Sequence, residues 1–108
     1  MDEDKEVNSQ DFVRPMVTRS LRRSNVRKKI AEYLFDISPS ASYTSEIAYN
    51  VNTTPTNVLG AIRGMEPRYR KNESLINLNI VELMKCKNNM KLYKLTDFGK
   101  EIIDSIKK

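Results

Sequence analysis

Apolar residues recur along most of this chain at intervals of three and four, and only one stretch changes to alternation. Val26, Ile30, Tyr33, Leu34 and Ile37 fall on one stripe of a 3.6-residue helix. That stripe predicts a helix from about Ser20 or Ser24 to Ile37. Ser38-Pro39-Ser40 ends it, because proline disfavours helical geometry in the residue before it. A second, short helix is expected from about Ser45 to Val51. Thr44 would cap it, Glu46 would sit at the positive end of its dipole, and Ile47, Ala48 and Val51 would form its inner face. Tyr43, just before that cap, is placed to staple onto Ala48.

Asn52-Thr53 reads as a turn, and Thr54-Pro55 as the start of a third helix. The threonine caps, and proline suits the first helical position because its missing N–H would be unpaired there. Val58, Leu59, Ile62 and Met65 form the expected buried stripe, with Pro67 as the stop. Residues 66–73 are polar and read as a loop, followed by one helical turn over 74–79. Ile80–Cys86 and Lys91–Leu95 are β-branched or alternating and predict a hairpin about the turn Lys87-Asn88-Asn89. Thr96 caps a last helix from Asp97 to about Ile106, with Phe98, Ile102, Ile103 and Ile106 inward. Residues 1–19 read as an arm ahead of a single domain over 20–108. Within it, residues 12–20 are open to three readings: an arm, a strand or part of a dimer contact.

Length and composition narrow the function. The chain has 108 residues, no histidine, no tryptophan, one cysteine and three glycines. Without histidine there is no Ser-His-Asp triad, Cys-His pair or histidine metal site. Cys86 alone makes neither a disulfide nor a zinc ribbon and reads as a small packed hydrophobe. Gly60, Gly64 and Gly99 cannot write a Walker loop or a dinucleotide fingerprint. No enzyme and no cofactor are expected. With no apolar leader and no apolar run of membrane length, a cytoplasmic location is expected.

Charge supplies the positive evidence. The net charge is +5, but it is polarised. Residues 1–11 carry five acids against Lys5, a net −4, and the remaining 97 residues are net +9. The cations cluster: Arg14, Arg19, Arg22, Arg23, Arg27, Lys28 and Lys29 come first. Arg63, Arg68, Arg70 and Lys71 follow, and then Lys85, Lys87, Lys91 and Lys94. A basic body with clustered cations is the footprint of a nucleic-acid binder. Tyr69, between two arginines, is the aromatic best placed to touch it.

Two short helices about a tight turn, followed by a hairpin with a basic tip, are the parts of a winged helix-turn-helix, an α+β, mostly helical fold. One helix enters the major groove and the helix before it crosses the backbone. The segment from Thr44 to Met65 resembles the helix-turn-helix of archaeal winged-helix transcriptional regulators, of the broad type that includes the MarR and ArsR families. Leu75–Glu82 is similar to their entry into the wing, with Asn79 where glycine is usual. Leu92–Gly99 is similar to their wing-closing step, Tyr-x-Leu-Thr-x-x-Gly. The stretch Glu66–Glu73 is longer than in that pattern.

The resemblance implies a sequence-specific regulator of duplex DNA, acting as a homodimer. Residues 54–65 would read bases through Thr54, Thr56, Asn57, Gly60 and Arg63, with Gly60 giving closest approach. Lys85, Lys87 and Lys91 on the wing would meet phosphate or the minor groove, and the stretch with Arg68, Arg70 and Lys71 would either touch phosphate or simply wrap the domain. Arg22, Arg23, Arg27 and Lys28 would hold the flanking backbone. The rival expectation is a winged-helix module that binds an acidic protein partner in transcription or replication machinery.

Overall fold

The computed structural model describes residues 9–107 except 68, 86, 87 and 89, with side chains from residue 14 onward except that of Lys85. The fold is α+β, with five helices and a two-stranded antiparallel sheet. The order is α1 (Ser9–Arg23), α2 (Asn25–Ile37), α3 (Thr44–Asn50), α4 (Pro55–Arg63), β1 (Val81–Lys85), β2 (Lys91–Leu95) and α5 (Asp97–Lys107). A single 3-10 turn, Lys71–Glu73, interrupts the stretch between α4 and β1.

Most boundaries have a local cause. Ser24 caps α2, its hydroxyl accepting from Arg27 N at 3.1 Å. Thr54 caps α4 in the same way through Asn57 N, with Pro55 as first helical residue. Thr96 caps α5, accepting from Gly99 N at 2.8 Å while donating to the Asn79 carbonyl oxygen at 2.6 Å. Asn52 and Asn79 take positive φ of 59° and 62°, which asparagine tolerates better than most residues. Gly64, at φ 89°, ends α4 before Pro67 is reached. At α3 the cap differs from expectation. Tyr43 holds the cap position with an exposed ring, Thr44 is the first helical residue, and Ser42 Oγ bonds Glu46 Oε1 at 2.6 Å.

The hairpin pairs Val81 with Leu95 through to Lys85 with Lys91. Ser42 adds one bridge to its outer side, exchanging backbone hydrogen bonds with Tyr93 at 2.8 and 2.9 Å. Tyr93 is fully buried, whereas Tyr33, placed on the apolar stripe of α2, is half-buried. The core joins Ile30 and Leu34 of α2, Ile47 of α3, Val58 and Ile62 of α4, Ile80, Tyr93, and Ile102 and Ile103 of α5. Met65 and Ile106, both expected inside, are exposed, as are Met84 and Met90. Gly99 lets α5 lie on the strand entry, since a Cβ there would collide with the Ile80 carbonyl oxygen.

Residues 12–20 lie in α1, which runs across residue 20, where the arm was expected to end. Val17, Ser20 and Leu21 of this helix are buried. Pro15 sits inside it and concealed the helix at the sequence level.

Beneath α1 lies a buried arginine. Arg27, on α2, is 4% exposed. Its Nη1 donates to the Ser20 carbonyl oxygen at 2.7 Å, to Ser20 Oγ at 2.8 Å and to Glu73 Oε1 at 3.4 Å. Ser20 Oγ in turn donates to the Glu73 carbonyl oxygen at 2.8 Å, and Arg23 pairs with Glu73 Oε2 at 2.7 Å. Helices α1 and α2 and a segment 46 residues further on thus meet at one guanidinium. Removing one partner of a buried ion pair leaves the other charge without compensation. Glu73→Ala is therefore expected to cost about 3 kcal/mol, the low end for such a pair, because Ser20 still holds Arg27. Urea unfolding of both forms checks this, and an unchanged midpoint would mean the pair is idle.

Candidate nucleic-acid interface

Helices α3 and α4 are joined by four residues. Val51 N and Asn52 N donate to the Ile47 and Tyr49 carbonyl oxygens, and Thr53 N turns back to that of Ala48 at 2.9 Å. The turn fixes the angle between the helices, and Ile47, Ala48, Val58, Ala61 and Ile62 fill the space between them and α2. What remains is a short helix whose tip stands in solvent. Thr54, Pro55 and Thr56 are all exposed.

The free face of α4 is not the one its apolar pattern suggested. Gly60 and Asn57 were expected to face outward. Gly60 is buried, because the Tyr69 ring lies against its Cα so closely that a Cβ would overlap the ring. Tyr69 itself is 8% exposed and is a wall of the helix rather than a free aromatic. Its hydroxyl donates to Asn57 Oδ1 at 3.3 Å, and Asn57 Nδ2 donates to Thr53 Oγ1 at 3.0 Å. The Asn57 amide is thus engaged at both ends, which argues against its expected use as a base reader. The exposed arc of α4 runs instead through Pro55, Thr56, half-buried Leu59 and Arg63. Leu59 was assigned to the core stripe. The signal for the rotation was present in the chain: a mid-helix glycine, which needs a reason, and a tyrosine nine residues on.

The stretch after α4, read as a loop that either touches phosphate or wraps the domain, wraps it as a brace. Met65 and Tyr69 exchange backbone hydrogen bonds at 2.8 and 2.9 Å. Leu75 N and Ile76 N then donate to the Ala61 and Ile62 carbonyl oxygens at 3.1 and 2.9 Å, satisfying the orphan acceptors at the end of α4.

The expected cations divide. Arg63 and Arg70 are exposed beside α4, Lys91 is exposed at the start of β2, and Arg22 and Lys28 are exposed at the α1–α2 corner. Arg27 is withdrawn into the core, and Arg23 is half-engaged with Glu73, so neither is a free backbone clamp. Arg68, Lys87 and Cys86 lie outside the described residues, as does the side chain of Lys85. Tyr49 of α3, 85% exposed, was not singled out and stands on the same helix pair. Among the described residues there is no metal-binding cluster and no helix long and apolar enough to cross a membrane.

A family model described as EarA-like matches residues 17–106 of the chain. An uncharacterized protein of Methanocaldococcus jannaschii is 45% identical over 96 residues, covering 89% of this chain and 86% of that one. No solved structure matches.

The Tyr69–Gly60 contact can be tested by a double-mutant cycle. Alanine is intrinsically the better helix former by about 1 kcal/mol. Even so, Gly60→Ala is expected to destabilise by about 1–3 kcal/mol through overpacking. Combined with Tyr69→Ala, the same substitution should become neutral or stabilising. Additive losses in thermal unfolding would show that the contact is not the reason for the glycine.

Proposed function

The chain belongs to the EarA-like family, and on the geometry above we propose that it is a sequence-specific, duplex-DNA-binding transcriptional regulator built on a winged helix-turn-helix. It works without catalysis, in the cytoplasm and as a homodimer on twofold sites. The observation that carries the reading is the α3–turn–α4 unit with its tip and one arc uncovered. In this reading α4 enters the major groove and α3 crosses the backbone. The β1–β2 hairpin is the wing, and the Ser42–Tyr93 bridge holds it against the start of α3. Thr56 can meet a phosphate or a base edge, and Leu59 is the apolar group that can meet a thymine methyl.

The cations support the same reading by position. Arg63 lies on α4, Arg70 follows Tyr69 on the brace and Lys91 lies on the hairpin, all three exposed, whereas Arg22 and Lys28 line a concavity with Ile103, Ile106 and Lys107 of α5. Arg63, Arg70 and Lys91 put positive potential on the helix, the brace and the hairpin, so that phosphates orient the domain while the uncharged tip meets base edges.

Selection from random oligonucleotides, followed by anisotropy titration over graded KCl, tests the proposal. We expect a preferred sequence, and log affinity falling with log salt at a slope of about −5 for some six phosphates at about −0.9 each. Leu59→Ala should reduce discrimination at one thymine, and replacing that thymine by uracil should abolish the difference between the two proteins. A flat salt response removes the DNA reading. Salt-dependent binding with no preferred sequence would leave the protein-interaction module as the better account. Light scattering tests the dimer, and a monomer at high concentration would remove it.

A further inference from the structure

The last turn of α4 opens onto a concave seat of about 450 Å³ lined by Arg63, Lys71, Asn72, Ser74, Ile76 and Asn77. Two observations show that the seat is built rather than accidental. Lys71 is fixed by its backbone: its Cα lies 2.7 Å from the position a Cβ on Gly64 would take, and its N–H donates to Glu66 Oε2 at 3.0 Å. The far wall is fixed as well. Asn77 N donates to Ser74 Oγ at 3.2 Å, and Leu75 and Ile76 are bonded to the end of α4. Arg63 and Lys71 are exposed, and neither belongs to an ion pair among the described residues. Of the two acids in this stretch, Glu73 is committed to Arg23 and Arg27, and Glu66 to the Lys71 N–H; neither lines the seat.

We infer that this seat takes one phosphate of a nucleic-acid backbone, and that Arg63 is a phosphate contact rather than a base reader. The inference rests on the DNA reading above and assigns this end of the same helix. At about 1.5 Å rise per residue, Arg63 lies about 10 Å along the axis from Thr56. The major groove is about 12 Å wide. With Thr56 among the bases, the last turn stands at the groove's rim, where phosphates lie. The chemistry also fits an anion. Arginine offers a planar fork to two phosphate oxygens, and lysine adds a point charge. The Asn77 amide is a neutral donor, held only by a long 3.4 Å bond to the Asn72 carbonyl oxygen.

Anisotropy titrations of Arg63→Ala, Lys71→Ala and the double variant, on the selected duplex and on a shuffled one, test the seat. Each single variant should weaken both duplexes by the same factor and lower the magnitude of the salt slope, and the double variant should lower it by about 0.9, the contribution of one phosphate. Arg63→Lys should keep the slope. Unchanged circular dichroism melting shows that the fold is retained. If Arg63→Ala instead weakens the selected duplex tenfold more than the shuffled one at an unchanged slope, Arg63 reads a base and the inference is overturned. Loss of neither affinity nor slope overturns it as well. Failure of the unmodified protein to bind either duplex removes the DNA reading itself, and is visible before any variant is made.

Discussion

The contact of the Tyr69 ring with Gly60 is the constraint on which the candidate interface depends. Helix α4 has nine residues and buries Val58, Ala61 and Ile62 against the rest of the core. Alone, that leaves most of its circumference in solvent. Tyr69 closes a second side, and it can do so only because Gly60 lacks a Cβ. Burying such a ring against apolar surface contributes about 1.5–3 kcal/mol. It also draws Asn57 into the wall through the tyrosine hydroxyl. The free surface of α4 is thereby cut to one narrow arc and a tip. An interface of this kind is specified as much by what covers the helix as by the helix itself.

The brace that carries Tyr69 is held from its other end. Glu73, four residues on, is the carboxylate partner of buried Arg27, and Ser20 of α1 bonds both. A buried guanidinium carries a desolvation cost that its pairing roughly offsets, so such a cluster contributes more to fixing one geometry than to raw stability. Here the geometry fixed is the mutual position of α1, α2 and the segment over α4. The Arg27 Nε atom, buried and without a hydrogen-bond partner among the described residues, marks the residual cost. Helix α1 is thereby tied to the placement of Tyr69 although it does not contribute to the α3–α4 unit.

Much of this was legible in the chain because local chemistry dictated it. Ser24, Thr54-Pro55 and Thr96 mark helix starts by the same capping bond; the latter two are found where they were read, and Ser24 is one of the two starts the stripe left open. The hairpin follows from alternation. What escaped has a common cause, namely partners far away in sequence. The brace looks like a polar loop because its anchors, Gly60 and Arg27, lie 9 and 46 residues from Tyr69 and Glu73. The helix in 9–23 was hidden by Pro15, and its reason to be helical is tertiary: Val17 and Leu21 pack into a core that the rest of the chain builds. The face of α4 was misread for the same reason, since a stripe of apolar residues shows where one wall is but not how many walls there are.

The division of the cations follows from these walls. As a string, Arg22, Arg23, Arg27 and Lys28 are one basic cluster. Folded, the helical period turns Arg27 inward to Glu73, pairs Arg23 at the edge and leaves Arg22 and Lys28 in solvent. At the end of α5, Lys107 bonds Asp36 at 3.3 Å and lies 4.9 Å from the centre of the Phe35 ring. Net charge counts all of these equally, but a phosphate does not. Cations already paired release little by meeting a second anion, and exposed ones act over a Debye length of about 8–10 Å. The positive field beside α4 and on the hairpin is therefore set by the exposed residues Arg63, Arg70, Lys71 and Lys91, while Arg22 and Lys28 add theirs beside α5. The +9 carried by the chain beyond residue 11 overstates the field because part of it is spent internally, holding the brace that shapes the interface.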